Sequence, residues 1–201
     1  MLITCVSDTH TNTPELPEAD LCIHAGDLTI HGFRSEFYQQ LCWLESQRKK
    51  FREMVLIVGN HDFYAEKHME DVYKACEDIG VMYLFNEDYV TYNGLRLYGS
   101  PHVPDYHKWA FMLSERKLFW AWQKIPADTD ILVTHGPPRD IMDVSYKDPY
   151  GGSGCKHLFN RVREIKPKLH VFGHIHEQHG TMAFGQTKFV NAATTVIQVE
   201  I

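Results

Sequence analysis

The feature that most constrains the fold is a repeated pattern, in which short apolar runs each end in aspartate, asparagine or histidine. The segments with this pattern are Val6-Ser7-Asp8-Thr9-His10, Ala25-Gly26-Asp27, Val58-Gly59-Asn60-His61-Asp62, Val133-Thr134-His135-Gly136 and Phe172-Gly173-His174-Ile175-His176. Apolar runs of this length are typical of buried strands. In open α/β sheets, ligands bind beyond the carboxyl ends of the strands. We therefore expect the five polar clusters to converge on one site.

The first half of the chain predicts a βαβ unit and a largely parallel, buried sheet. The predicted strands of this half are residues 2–6, 21–23 and 54–58. Helical periodicity covers residues 35–51, and a second helix is predicted over residues 65–79.

The second half adds antiparallel strands. Asn93-Gly94 lies between strand-like residues 89–92 and 95–98, and this dipeptide is a strong hairpin signal. Two further helices are predicted over residues 114–123 and 156–165. The later predicted strands are residues 131–133, 169–172, 181–184, 188–190 and 194–199. The order of elements therefore predicts a mixed α/β fold.

Composition narrows the class of protein. A chain of 201 residues with 44% hydrophobic residues matches one soluble domain, residues 1–201. The net charge of −6 argues against binding to duplex nucleic acid, which needs many lysines and arginines. The five cysteines have no C-x-x-C spacing, which favours a reducing compartment. The first residues do not resemble a signal peptide, and the sequence lacks an apolar run long enough for a membrane, so we expect a cytoplasmic protein.

The residue types of the five clusters indicate metal binding. Carboxylate, amide and imidazole ligands without thiolate suit manganese, iron or zinc ions. Asp8 and His10 are two residues apart, as are His174 and His176. On extended backbone such pairs lie on the same face, so we expect each pair to share a metal or to bind adjacent metals. Each motif taken singly has a structural explanation, since a lone buried histidine is usually a hydrogen-bonded core residue.

The order of the motifs, D-x-H, G-D, G-N-H-D, T-H-G and G-H-x-H, resembles the calcineurin-like metallophosphoesterase superfamily from Asp8 to His176. The phrases around Asp27, His135 and His174 are similar to those of small uncapped members, the class III cyclic nucleotide phosphodiesterase-like and brain metallophosphoesterase-domain proteins. The resemblance implies an α/β/β/α sandwich of two mixed β-sheets flanked by helices.

The resemblance also implies two divalent metal ions and their ligands. One ion would be held by Asp8, His10, Asp27 and His176, and the other by Asp27, Asn60, His135 and His174. Asp27 would bridge the pair, which places two cations roughly 3.5–4 Å apart. A metal-bound hydroxide would attack the phosphorus. His61 would donate to the phosphoryl oxygen or the leaving group, with Asp62 orienting it.

The expected activity is phosphoester hydrolysis, and a small phosphodiester such as a cyclic nucleotide is favoured because the chain leaves little sequence for a cap. The alternatives are a phosphomonoesterase, a phosphoprotein phosphatase, or a non-catalytic scaffold, as in retromer-type relatives that have lost the ligands. Asn60 and Arg139 are candidate substrate contacts. The remaining candidates are the loop histidines His31, His102 and His107, which we expect to be solvated. A group of aromatic residues is expected in the core, with a nucleobase wall or an oligomer contact as the alternatives: Trp109, Phe111, Phe119, Trp120 and Trp122.

Overall fold

A computed structural model describes residues 1–91, 93–146 and 152–201. Its strands are β1 (Leu2–Val6), β2 (Ala19–Ala25), β3 (Phe51–Ile57), β4 (Met82–Tyr83), β5 (Glu87–Val90), β6 (Arg96–Ser100), β7 (Val103–Pro104), β8 (Met112–Leu113), β9 (Ile131–Thr134), β10 (Leu169–Phe172), β11 (Gly180–Phe184), β12 (Thr187–Asn191) and β13 (Val196–Glu200). Its helices are α1 (Arg34–Gln47), α2 (Phe63–Lys67), α3 (Met69–Asp78), α4 (Glu115–Gln123) and α5 (Lys156–Ile165), with short 3₁₀ turns at Arg48–Lys50 and His176–Gln178.

The first large sheet has the strand order β13-β1-β2-β3-β4. Strands β1 to β4 are parallel, and β13 is an antiparallel edge strand. Side chains of β2 alternate between two apolar cores: Ile23 faces the second sheet, whereas Cys22 faces α1 and α3. Both faces of the sheet are covered, which explains why its strands are continuously apolar in sequence.

The second large sheet has the order β11-β12-β10-β9-β6-β5. Strands β12, β10, β9 and β6 are parallel, and β5 and β11 pair antiparallel at the two edges. Its outer face packs against α4 and α5 through Leu118, Trp122, Leu158 and Val162, all buried. The α/β fold of two mixed sheets flanked by helices is therefore confirmed.

Several predicted boundaries differ from the structure. The first predicted helix ends early, because a 3₁₀ turn at Arg48–Lys50 leads into β3, which begins at Phe51. The second predicted helix is divided into α2 and α3 at His68, whose φ of −134° and ψ of 47° are not helical. The predicted hairpin pairs Val90 with Arg96, so its connection is longer than the expected two-residue turn. Tyr92, placed in the first strand of that hairpin, lies outside the described residues.

Among the helices of the described residues, none has both the length and the apolar composition that a membrane span requires.

Candidate metal centre

The polar clusters meet at the carboxyl ends of β1, β2, β3, β9 and β10. Backbone hydrogen bonds connect the loops that follow these strands. The amide of Asp8 donates to the carbonyl of Gly26 at 2.9 Å, and the amide of Gly173 donates to the carbonyl of His135 at 2.9 Å. The amide of His174 also donates to Oδ2 of Asp8 at 3.0 Å, which links the two sheets. The convergence predicted from the strand ends is thus present in the fold.

Much of the site has left-handed backbone. Asp8, His10, Asp27 and His174 have φ angles of 53°, 43°, 55° and 70°. Such angles are uncommon outside glycine and cost free energy, which the surrounding hydrogen bonds must offset. They also show that the expectation of extended backbone at Asp8–His10 and His174–His176 is wrong. These pairs are placed by tight turns, so the alternation of a strand does not apply to them.

The predicted ligands form two adjoining groups. Potential ligand atoms of Asp8, His10 and His176 lie within 4.8 Å of one another, as do those of Asp27, His135 and His174. Oδ2 of Asp27 lies 3.9 Å from Nε2 of His10 and 3.3 Å from Nε2 of His135, so this carboxylate lies between the groups. His174 and His176 belong to different groups, which is the division that the ligand sets implied by the resemblance assign to them.

His135 shows why the centre requires positive charge. Its Nδ1 is 2.9 Å from the carbonyl of Ala25, which can only accept, so Nδ1 carries the proton. Its Nε2 lies 3.0 Å from Oδ1 of Asn60 and 3.3 Å from Oδ2 of Asp27, both acceptors. Burial lowers the pKa of His135, but the charge of Asp27 outweighs it and raises the pKa to about 9. A proton or a metal ion is needed between these atoms, and a metal ion fits this donor set.

Two carboxylates share this buried environment. The residues Asp8 and Asp27 are only 1% and 2% exposed. Burial raises the pKa of each carboxyl, yet the hydrogen bond from His176 holds the pKa of Asp8 below its usual value. The charge of His135 likewise lowers the pKa of Asp27. Two ionised carboxylates that share a buried site repel each other, and neighbouring cations offset this repulsion, which again fits a pair of metal ions.

The rings of His10 and His61 are both held through Nδ1, each by a backbone carbonyl. Nδ1 of His10 lies 2.9 Å from the carbonyl of Thr29, and Nδ1 of His61 lies 2.7 Å from the carbonyl of Ile30. Both carbonyls accept from Nδ1, which leaves Nε2 of each ring to act. His61 is also close to Asp27 and His10, since their candidate ligand atoms lie within 4.8 Å of one another. The distances alone therefore permit His61 to reach a metal.

Asp62 has a different position from the one expected. Its buried carboxylate accepts from the amides of Gly59 at 2.8 Å and Thr29 at 3.0 Å, and lies 3.3 Å from the amide of Leu28. The His61 ring is instead oriented by the carbonyl of Ile30. The expectation that Asp62 orients His61 directly is therefore corrected: Asp62 connects the loops after β2 and β3. Burial and the charge of Asp27 raise the pKa of Asp62 to about 6.

An Asp62→Asn substitution is expected to destabilise the protein by about 2–3 kcal/mol, because one of its side-chain positions becomes an NH₂ facing buried N–H donors. Urea unfolding measures this change. Asp71→Asn is the matched control, since Asp71 accepts from the Tyr64 hydroxyl, which can reverse its direction. Equal stability losses in the two variants would contradict the inferred role of Asp62.

Tyr106 is a site residue that the sequence analysis missed. Its hydroxyl lies 2.7 Å from Nε2 of His174, which leaves Nδ1 of His174 as the nitrogen available to a metal. Burial raises the pKa of Tyr106, so the phenol stays neutral. Tyr106 falls at the end of a loop with two prolines, and its residue type carries no motif signal.

We expect Tyr106→Phe to weaken binding of the metal ion near His135 by about 10- to 100-fold, as is typical when the partner of a ligating histidine is removed. Titration calorimetry with Mn²⁺ or Zn²⁺ would show one weakened site of two. Tyr146→Phe is the control, because Tyr146 borders the same space and is 89% exposed. A similar loss in both variants would count against the contact with His174.

A cavity of about 680 Å³ opens over the centre. The residues that line it include the predicted Asp27, Asn60, His61, His174 and His176, together with Tyr106, His107, Trp109, Tyr146 and Ser153. The mixture of imidazoles with aromatic rings suits a ligand that has an anionic group and an apolar part.

Other candidates lie in different environments. Nη1 of Arg139 donates to the carbonyl of Gly152 at 2.9 Å, and Gly152 is part of the cavity wall. The expectation that His102 is solvated is wrong. Its ring is mostly buried and contacts Asn86 and the carbonyl of Phe111. His31 is exposed. The paired prolines and the glycines of residues 136–154 predict a long loop, and residues 147–151 of this loop lie outside the described residues.

The aromatic group is divided by the fold. Trp122 and Phe111 are buried, as expected for core residues. Phe119 and Trp120 are exposed on α4. Trp109 alone of this group borders the cavity among the described residues, and its ring centroid is 4.3 Å from that of His61.

Ligand substitutions are expected to fall into two classes. Asn60→Ala and His135→Ala should each release one metal ion, whereas Asp8→Ala, His10→Ala and His176→Ala should each release the other, because the side chains form two groups. Anomalous scattering at the absorption edges of two different metals would identify the ion lost. Random partial loss from both positions in every variant would overturn the ligand assignment.

Comparison with known proteins agrees with this geometry. A sequence model of the calcineurin-like phosphoesterase family matches residues 1–178. Metallophosphoesterase domain-containing protein 1 of Homo sapiens and its Mus musculus counterpart are both 37% identical over 220 residues, which cover 98% of this chain and 67% of each relative. A UPF0046 protein of Caenorhabditis elegans is 35% identical, over 94% of this chain and 73% of its own length.

The fold is also similar to a solved structure. The crystal structure of TT1561 of Thermus thermophilus superposes with a TM-score of 0.69 at 10% identity, covering 96% of this chain and 88% of that chain. At this identity the likeness concerns the fold alone.

Proposed function

The chain belongs to the calcineurin-like phosphoesterase family, whose members hydrolyse phosphoesters with bound metal ions, and we propose that its substrate is a small phosphodiester. The observation that carries the proposal is the cavity of about 680 Å³ placed directly over the candidate ligands. A cavity of this size matches a small molecule. The net charge of −6 disfavours duplex nucleic acid as a substrate.

Two metal ions are part of the proposal, and manganese, iron and zinc each suit the ligand types. One ion is assigned to Asp8, His10, Asp27 and His176, and the other to Asp27, Asn60, His135 and His174. When bound, the ions supply the charge that neutralises phosphate oxygens and lowers the pKa of a nearby water.

His61 is proposed to act on the substrate. Nδ1–H of His61 donates to the carbonyl of Ile30, so the proton given to the departing oxygen is carried on Nε2 of the protonated imidazolium, which becomes the neutral Nδ1–H form as that proton leaves. The amide of His61 donates to Oδ1 of Asp27 at 2.8 Å, which fixes the backbone from which the ring projects. This connection places the proposed donor beside the proposed bridging carboxylate.

The aromatic lining favours a substrate with a planar group. Tyr106 and Tyr146 border the cavity together with the polar Ser145 and Ser153. Aromatic side chains bind nucleobases by stacking, with little dependence on the base. A cyclic nucleotide, which combines one phosphodiester with one base, is therefore the first candidate to test.

The experiment compares substrates on protein loaded with Mn²⁺ or Zn²⁺. We expect a higher kcat/KM for bis-p-nitrophenyl phosphate and cyclic nucleotides than for p-nitrophenyl phosphate or a phosphopeptide, and loss of all activity with a chelator. Preference for p-nitrophenyl phosphate would indicate a phosphomonoesterase, and preference for the phosphopeptide would indicate a phosphoprotein phosphatase. Stoichiometric metal without any hydrolysis would indicate a non-catalytic scaffold.

A further inference from the structure

We propose that Trp109 is a positioning residue that holds the His61 ring in the orientation needed to reach the leaving group. The proposal rests on the phosphoesterase function above and names a residue outside the metal-binding motifs. Trp109 lies in the segment between β7 and β8, far from His61 in sequence. Their ring centroids are 4.3 Å apart with an interplanar angle of 34°.

The backbone fixes Trp109 relative to the loop that carries His61. The amide of Ala110 donates to the carbonyl of Asn60 at 3.1 Å, one residue from His61. On the same segment, the amide of Phe111 donates to Oε1 of Glu66 at 2.7 Å, and the Phe111 side chain is buried with a φ of 55°. Because these bonds anchor Ala110 and Phe111, the two residues that follow Trp109, the backbone holds Trp109 next to His61.

His61 needs such a contact because its own hydrogen bond restrains only one nitrogen. The bond from Nδ1 to Ile30 lies at the surface, where water competes with it. The ring can still turn about that bond, which would move Nε2 away from the substrate. On one side, the edge of His10 limits this motion at a centroid distance of 4.7 Å and an angle of 75°. Trp109 supplies the second restraint.

Core packing does not explain why a tryptophan occupies position 109. Its side chain is 36% exposed and lines the cavity, whereas Trp122 of the same aromatic group is 1% exposed. Phe63 lies 5.9 Å from the Trp109 ring and nearly parallel to it, so the ring is supported from α2 as well. A large ring that is partly open to the cavity and supported by its neighbours is suited to orienting another group.

The test is a double-mutant cycle of Trp109→Ala and His61→Ala on metal-loaded protein, using a diester with a poor alkoxide leaving group. For Trp109→Ala alone we expect kcat to fall about tenfold with little change in KM, a loss typical of one aromatic contact. In the His61→Ala background, Trp109→Ala should cause little further loss, because the group it positions is absent. Trp109→Phe should recover part of kcat.

A second measurement is independent of catalysis. In protein loaded with Zn²⁺, ¹H–¹⁵N NMR of the imidazoles should show one set of His61 ring signals with a proton retained on Nδ1, and Trp109→Ala should give averaged or doubled signals. Trp120→Ala, on the exposed face of α4, is the matched control and should leave both readouts unchanged.

Three outcomes would overturn the proposal. If the kcat losses of Trp109→Ala and His61→Ala multiply in the double mutant and KM rises, Trp109 contacts the substrate as a wall of its site instead of positioning His61. Release of metal or unfolding of both Trp109→Phe and Trp109→Ala would make its role structural. An unchanged His61 spectrum in a folded Trp109 variant would exclude positioning. If the wild-type protein hydrolyses no phosphoester, the proposed function fails, and the NMR comparison still decides whether Trp109 orders His61.

Discussion

Replacing Asp27 by Ala is expected to remove both metal ions and to lower the hydrolysis rate at least about 10³-fold, the largest effect expected for any single metal ligand. Metal ions contribute several kcal/mol to phosphoryl transfer, and each 1.36 kcal/mol corresponds to a factor of about ten in rate. Asp27 is the carboxylate that lies between the two ligand groups, near both His10 and His135. Its loss therefore affects both positions at once.

Metal content per chain and the rate on bis-p-nitrophenyl phosphate are the two measurements. Asp128→Ala is the control, since the Asp128 side chain is 70% exposed and pairs only at the surface with Arg96. That variant should keep its metals and its rate. Two tightly bound metal ions in the Asp27→Ala protein would refute the bridging assignment.

His61→Ala and His61→Gln are expected to keep both metals and to lower kcat by about 10²- to 10⁴-fold, the range for loss of one general acid or one stabilising donor. The ligand sets implied by the family resemblance are complete without His61, and its Nδ1 is already engaged by the carbonyl of Ile30. The defect should be larger for an alkoxide leaving group than for p-nitrophenolate, because the better leaving group has less need of a proton.

The leaving-group comparison separates two roles of His61. An equal defect with both leaving groups would favour electrostatic stabilisation without proton donation. Release of a metal ion from either variant would show that His61 is a ligand, which its position near His10 and Asp27 permits. His157→Ala on α5 is the control for replacing a histidine, since His157 pairs with Glu115 away from the cavity.

The aromatic and loop residues of the site are the least predictable from sequence. Tyr106 and Trp109 lie in a segment without a chemical motif, yet one contacts His174 and the other contacts His61. Arg139 follows a motif and is a candidate phosphate contact, and in the structure its side chain donates to the carbonyl of Gly152. In both cases the contact depends on how loops fold back over the site, which no local pattern encodes.

The sequence alone determined the class of fold and the place of the site. A buried parallel strand must be apolar on both faces, and the chain can become polar only where the strand ends, so each motif marks the same end of a sheet. Tertiary structure alone decided the backbone turns and the loop contacts that hold these side chains. Left-handed turns at Asp8, Asp27 and His174 separate neighbours such as His174 and His176, and Asp62 bonds to the loop after β2 instead of to His61. The physical reason is that strand polarity follows from local burial, whereas turn geometry and loop contacts depend on hydrogen bonds between segments that only the packed sheets bring together.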